Sequence, residues 1–319
     1  MMDYVLNAAV SLLRNYEDLP FDAPDSEETA RRAVERAATA LERSGDSFAY
    51  LPVADLPVEK RLELEEKRLL SAEAQDAPHG IAYLRMDEKV CVEAASEDHL
   101  RISAFDAAGK LQSCYPLCAD LEERLENTGK LAKSEAFGFL TVHPCDAGTG
   151  LRASLLLHLP MTVLVKQLPA AMKVAAGAGM TLISRNKGLC LLENRVTMGI
   201  DENTLLQRVS ETGDKLCTLE RGLRTRARER SDVAVLDPVW RSYGTGRYAL
   251  RIGRGEAEQV WSMLTLGLSV SDVMPYTEQM ADEIWTLAHM TQAQLTQDHP
   301  GHPDIIRAQR IRTVLSGGK

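Results

Sequence analysis

The 319 residues carry 46 acidic against 37 basic side chains, a formal net charge of −9, which argues against general nucleic-acid binding and suits a partner rich in exposed arginine. No apolar run reaches the roughly 18 residues that span a bilayer, and no basic segment followed by an apolar core opens the chain. A soluble, cytoplasmic protein away from the membrane is therefore expected, long enough for two domains. The cysteines (Cys91, Cys114, Cys118, Cys145, Cys190 and Cys217) are scattered without paired zinc spacing, so reduced thiols and no metal site are expected.

An apolar segment, residues 4–15, is closed by Leu19-Pro20-Phe21. Asp25 and Ser26 are N-cap candidates for a helix to about residue 43, with Ala30, Val34, Ala37 and Leu41 on one stripe and a stop at Ser44-Gly45-Asp46. Pro57-Val58-Glu59 opens a charged helix to about residue 73, in which Glu63 and Lys67 form a favourable i,i+4 pair. Strands over 81–85, 89–95 and 100–105 follow as an antiparallel meander, turning first at Met86-Asp87-Glu88. Next come a helix over 116–133, strands over 137–143 and 151–158, and a helix over 160–176 kinked at Pro169. Strands over 180–184 and 188–198 precede a helix over 202–230 capped by Asp201. Residues 231–238 are the expected linker to three helices, 255–266, 276–294 and 304–315, with Trp240, Trp261 and Trp285 in the core. The pattern predicts an α+β fold: an antiparallel sheet flanked by helices over 1–230, with a short helical N-terminal part (1–75), then a small all-helical C-terminal domain over 231–319.

The chemistry concentrates between residues 97 and 154. Continued as a strand, Glu97, His99 and Arg101 share one face, putting a carboxylate beside two possible cations. Glu97 and Arg101 would then stand ~13 Å apart, too far to be each other's partner. A guanidinium is a fixed, permanently charged fork suited to phosphate oxygens, and the Gly148-Thr149-Gly150 turn lets backbone amides approach an anion. Together these pieces predict a polyphosphate site beside a carboxylate that orients a cationic acceptor.

Two motifs carry a resemblance to the ATP:guanido phosphotransferases. The family's Asn-Glu-Glu-Asp-His-(Leu/Ile)-Arg stands here as Ala95-Ser96-Glu97-Asp98-His99-Leu100-Arg101. Its Cys-Pro-Thr-Asn-x-Gly-Thr-x-x-Arg-Ala-Ser stands as His143-Pro144-Cys145-Asp146-Ala147-Gly148-Thr149-Gly150-Leu151-Arg152-Ala153-Ser154. The Gly-Thr-Gly-Leu-Arg-Ala-Ser form resembles the bacterial protein-arginine kinase branch. So does the C-terminal Ile305-Ile306-Arg307-Ala308-Gln309-Arg310-Ile311-Arg312. The resemblance implies transfer of the ATP γ-phosphoryl group to arginine side chains of proteins, with ATP and Mg²⁺ as cofactors. It implies Glu97 as the catalytic carboxylate, and Arg101, Arg152, Arg185, Arg14, Gly148 and Gly150 as nucleotide-phosphate ligands. It also implies Arg307 and Arg310 as phosphoarginine ligands, an activator protein, and a homo-oligomer such as a dimer. His99 is expected to be structural, and Arg312 to satisfy its helix dipole.

The chain departs from that pattern in three places. Ala9 and Ser11 stand where the family carries phosphate-binding arginines; only Arg14 remains, equally readable as a surface or helix-end arginine. Residues 185–188 replace a longer loop that would bring a second glutamate, and read as a tight polar turn in preference to a site loop. His143 replaces the reactive cysteine, while Cys145, two residues on, is either a site thiol or a small buried residue. These losses support the alternative of a degenerate pseudokinase acting as a regulatory or phosphoarginine-binding adaptor. A kinase for free arginine or creatine fits less well, since the long helical N-terminal domain of those enzymes is missing.

Overall fold

The computed structural model describes residues 4–22, 25–186, 188–297 and 301–317. Strand β1 (Val5–Arg14) lies near the middle of the main sheet and is buried from Ala8 onward. The chain continues through α1 (Glu27–Glu42), β2 (Phe48–Pro52), α2 (Val58–Glu66) and the meander β3 (Ile81–Arg85), β4 (Val90–Ala94) and β5 (Leu100–Asp106). Helix α3 (Leu111–Glu126), a ribbon of β6 (Lys133–Ser134) and β7 (Gly138–Phe139), and β8 (Leu151–His158) follow. Then come α4 (Pro160–Leu164), α5 (Leu168–Gly177), β9 (Met180–Asn186), β10 (Leu189–Asn194) and α6 (Glu202–Arg230). The last elements are α7 (Val233–Tyr248), α8 (Arg254–Val270), α9 (Glu278–His289), α10 (Gln292–Thr296) and α11 (Pro303–Leu315). Eight strands form one antiparallel sheet in the order β2-β3-β4-β5-β1-β8-β10-β9. Among the described residues no helix is long and apolar enough to cross a membrane.

The strand period of two divides the sheet into two faces. Val10 and Leu12 of β1, Leu100 and Ile102 of β5, and Leu155 and Leu157 of β8 turn into the core beneath α1, α3, α5 and α6. Alternate residues on the same strands turn the other way. Towards one end of that second face, Leu156 and Leu189 pack against Ile252, Trp261 and Ile284 of the C-terminal helices. Towards the other end the face is open and mixes charged side chains with small ones such as Ala9 and Ser11.

Several expected boundaries move. Helix α3 starts at Leu111 rather than at residue 116, with Pro116 inside it, because its N-cap, Lys110, offers no side-chain cap to mark the start. The strand expected over 137–143 is only Gly138–Phe139; Phe139 pairs onward with Gly148, and residues 140–147 fold into a loop. The kinked helix over 160–176 is two helices, broken where Lys166 takes φ +59°, with Pro169 in the first turn of α5, where proline fits. Helix α2 ends at Glu66, short of residue 73. In place of a linker over 231–238, Ser231 ends α6 at φ +49° and Asp232 caps α7 directly. The helix over 276–294 divides into α9 and α10, the second opened by a Thr291–Gln294 capping box.

Candidate active site

Glu97 is not on a strand. Ala94 pairs with Leu100, so residues 95–99 form the turn between β4 and β5, with Ala95 at φ +58° and its amide bonded to the His99 carbonyl. Alternation therefore does not reach Glu97 and His99. Buried His99 accepts from the Tyr16 amide on Nδ1 (3.0 Å) and donates from Nε2 to the Pro20 carbonyl (2.7 Å). Burial holds its pKa below the ordinary histidine value, which matches a neutral, structural ring. Asp98 accepts from the Asn15 amide group (2.5 Å) and the Val142 backbone (2.9 Å), and burial raises its pKa. Glu97 alone of the three turns outward, where its carboxylate meets His143 Nε2.

Register builds the rest. Ser11 lies between Ser103 and Arg152, Arg101 between Leu13 and Glu93, and Ser154 between Ala9 and Glu193. All of these belong to the second face of the sheet, which is open at this end. There a cavity of about 370 Å³ is lined by Arg68, Arg101, Arg152 and Arg195, with Ala9 and Ser11 on its β1 wall. Its carboxylates are Glu73, Asp146 and Glu193. Asp146 grips Arg152 in a two-point fork (2.9 and 2.6 Å) and holds that guanidinium still more firmly protonated. Arg68 pairs with Glu193 at 2.6 Å. Among the described residues Arg101 has only distant carboxylates, Glu93 at 3.8 Å and Glu73 at 4.0 Å. Burial pushes the Glu93 carboxyl up, against the opposing pull of Arg101 and of two bonds that Ser71 donates to it from its hydroxyl and its backbone N–H (both 2.6 Å).

The structure brings Arg101 and Arg152 together in this cavity. Glu97 is tied to its wall through the 143–146 turn, in which the Asp146 amide bonds the His143 carbonyl (3.0 Å). Cys145 is exposed and lines the cavity, which sets aside a small buried residue. Arg185, exposed on β9, lines a neighbouring cavity of about 480 Å³ with Asn7, Phe105, Leu156, Trp285 and His289.

Arg14 is not brought to the site. It is 1% exposed, bonded to Glu122 (2.8 Å) and to the Leu13 and Thr149 carbonyls, with its guanidinium 3.5 Å from the Phe139 ring centroid. The glycine amides do not cradle an anion there either. Gly148 N–H is bonded to the Phe139 carbonyl, and a Cβ on Gly148 would lie 2.4 Å from the Thr197 carbonyl. A Cβ on Gly150 would lie 2.6 Å from Arg14 Nη1. These glycines serve close packing. In the C-terminal helices, Arg307 is buried and spent on the Leu287 and Ile252 carbonyls and Asp304. Arg310 is half-buried, bonded to the Leu295 carbonyl, and lines a groove between α9 and α11. Arg68, Arg195, Glu73, Glu93 and Glu193 were not expected at the site. Glu93, set between valine and alanine on a buried strand, was the one with a visible signal.

An eight-stranded antiparallel sheet thus bears on one face a guanidinium-lined cavity suited to an anion, with an outward carboxylate tied to its wall. The chain belongs to the ATP:guanido phosphotransferase family: residues 29–223 match the family's C-terminal catalytic domain. Along nearly its whole length it is similar to protein-arginine kinases. One, from Halothermothrix orenii, is 27% identical over 326 residues, covering 98% of this chain and 93% of that one. Another, from Brevibacillus brevis, is 29% identical over 328 residues, covering 98% and 91%. Among solved structures, the substrate-free duplicated taurocyamine kinase from Schistosoma mansoni superposes with a TM-score of 0.60 at 22% identity, over 70% of this chain and 33% of that one. Lombricine kinase gives a TM-score of 0.60 at 18% identity, over 70% and 69%. These two share the fold.

Proposed function

We propose that the protein is a protein-arginine kinase, moving the γ-phosphoryl group of ATP to arginine side chains of proteins. The observation that carries this reading is the convergence of Arg101 and Arg152 on one cavity whose wall is tied to the outward carboxylate of Glu97. Phosphoryl transfer needs chiefly positioning and neutralisation of charge, and permanently charged guanidinium forks supply both. On β1, Asn7 lines the larger cavity, while Ala9 and Ser11 line the cationic one. The two cavities therefore follow one another along the strand, with phosphates against Arg101 and Arg152 and the base beside Phe105, Trp285 and His289.

The acceptor guanidinium is fully protonated in water, with a pKa above ~12. A carboxylate at Glu97 holds it by charge and takes the proton as nitrogen attacks the γ-phosphorus. The P–N bond forms as the bond to the ADP oxygen breaks. Among the described residues no group of three or more His, Cys, Asp or Glu side chains could hold a metal. Mg²⁺ takes several hard oxygen ligands; nucleotide phosphates provide them, Glu73 and Glu193 stand at the cavity wall, and the bound ion would add charge neutralisation. On this reading residues 231–319 are a second, helical domain, the substrates are cytoplasmic proteins with exposed arginine, and an activator and a homodimer are the expected partners.

The test is transfer of label from γ-labelled ATP to an arginine-rich protein, with acid lability marking the P–N bond. Glu97→Gln is expected to slow transfer by about 10²–10⁴-fold. Transfer that persists in that variant would remove Glu97 from the chemistry. ATP binding without transfer, with or without candidate activators, would establish the adaptor, a reading favoured by one feature: Glu97, Arg152 and Arg68 are each already paired within the chain.

A further inference from the structure

The β1 wall of the cationic cavity contributes a methyl group and a hydroxyl, Ala9 and Ser11, and no charge. Two arginines enter the same cavity from outside the two motifs. Arg68 comes from the end of α2, at φ +57°. Its amide bonds the Glu65 carbonyl (2.9 Å) and the Leu69 amide bonds the Leu64 carbonyl (2.8 Å), closing the helix as a left-handed residue usually does. Glycine is the ordinary occupant of that position, because a side chain there is strained. Nothing in the turn itself calls for arginine.

The side chain of Arg68 crosses to Glu193 on β10, and its buried Nε has no hydrogen-bond partner among the described residues. Burial, with the charges of Arg185, Arg101 and Arg152 beside it, lowers its pKa, and Glu193 opposes that pull. Like charges gathered this closely are unfavourable unless anions balance them. Asp146 and Glu193 balance Arg152 and Arg68, whereas among the described residues the carboxylates nearest Arg101 stand at 3.8 and 4.0 Å. Arg195 stands just beyond β10, exposed, and has no ion pair among the described residues. A strained residue, an unused buried donor and crowded guanidinium groups coincide in one cavity.

We propose that Arg68 and Arg195 are phosphate ligands of the nucleotide, supplying from the α2 end and the β10 end the charge that β1 lacks. This rests on the reading of the cavity as the nucleotide-phosphate site. Glu193 then holds Arg68 in place and releases one edge of its fork to the incoming phosphate.

The experiment is calorimetric titration of the full chain with ADP and with inorganic triphosphate. The proteins compared are wild type, Arg68→Gln, Arg68→Gly, Arg195→Gln and, as reference, Arg101→Gln. Arg68→Gly removes the guanidinium while relieving the left-handed strain, so its fold is secure. Both Arg68 variants and Arg195→Gln are expected to bind each ligand about tenfold more weakly or worse, the weight of one lost charge-assisted contact. Wild-type affinity in these three, with binding lost in Arg101→Gln, overturns the proposal and leaves the phosphate site standing. A wild-type chain that binds neither ligand overturns the reading of the cavity itself.

Discussion

Glu220 offers the sharpest test of how the helices are fixed to the sheet. It lies on α6, fully buried, and accepts from four donors: the Met161 amide (3.0 Å), the Thr162 amide and hydroxyl (both 2.8 Å) and Arg224 Nε (2.8 Å). Arg224 reaches on to His158 Nδ1 of β8 (3.3 Å), and His158 Nε2 bonds Ser262 of α8 (2.9 Å). With Arg224 donating to Nδ1, the ring proton belongs on Nε2. Burial, with the neighbouring Arg224 charge, keeps the pKa of His158 well below the ordinary histidine value. Glu220→Gln would keep the shape, but it turns an N–H₂ group towards a set of donors and leaves Arg224 buried without a counter-charge. Removing one member of such a pair costs about 3–5 kcal/mol. At ~2.1 cal/mol/K of unfolding entropy per residue, 319 residues give ~0.67 kcal/mol/K, so Tm should fall by about 4.5–7.5 °C. Adding Arg224→Met should recover part of the loss, because the second variant removes the stranded charge. Calorimetry on the wild type and the single and double variants measures both effects. A single-variant loss below about 1 kcal/mol, within the ordinary worth of a neutral hydrogen bond, would refute the network's role.

Two further outcomes follow from local geometry. Glu88 is held at about 2, chiefly by hydrogen bonds from Lys60 and Lys67. Its folded pKa lies below the unfolded one, so its contribution is present above about pH 4.5 and is lost as pH falls towards 2. Melting of Glu88→Gln should therefore trail wild type at pH 7 and converge with it in acid; a gap independent of pH would remove the ion pairs as its cause. Gly148→Ala places a Cβ 2.4 Å from the Thr197 carbonyl at φ +107° and should cost about 2 kcal/mol or more; urea unfolding that matches wild type would show that the loop yields freely.

The legible parts of the fold are those whose pattern is local. The β3–β4–β5 meander alternates and turns where Glu88 takes φ +54°, and α1 and α6 announce themselves by N-caps Ser26 and Asp201, whose side chains accept from the third residue of each helix. Helix α3 is misjudged at its start for the opposite reason: Pro116 looks like a first-turn proline, whereas the uncapped start at Lys110 carries no signal. Residues 140–147 hold apolar and β-branched side chains suited to a strand. They are drawn into a loop because Asp98 and the Thr141 hydroxyl take up their backbone groups. The break between α6 and α7 resembles a linker in composition, but a left-handed Ser231 and the Asp232 cap make it a tight turn.

The site divides along a different line. A long motif around Glu97 is specific because most of its polar members hold the turn together: Asp98 with Asn15 and Val142, His99 with Tyr16 and Pro20. Only Glu97 and Arg101 are left to act outward. The motif therefore marks the family strongly, and two of its residues are left for the proposed chemistry. Counted along the sequence, Ala9 and Ser11 are losses, and Arg68 and Arg195 are ordinary surface arginines. Counted around the cavity, the four positions face one space, and the charge absent from its β1 wall stands on the walls opposite. Register, not spacing, decides this: an arginine at a helix end and another beyond β10, more than a hundred positions apart, become neighbours only once β1 is seated between β5 and β8. A departure from a motif is therefore weighed by what occupies the same volume, and here that volume is still cationic.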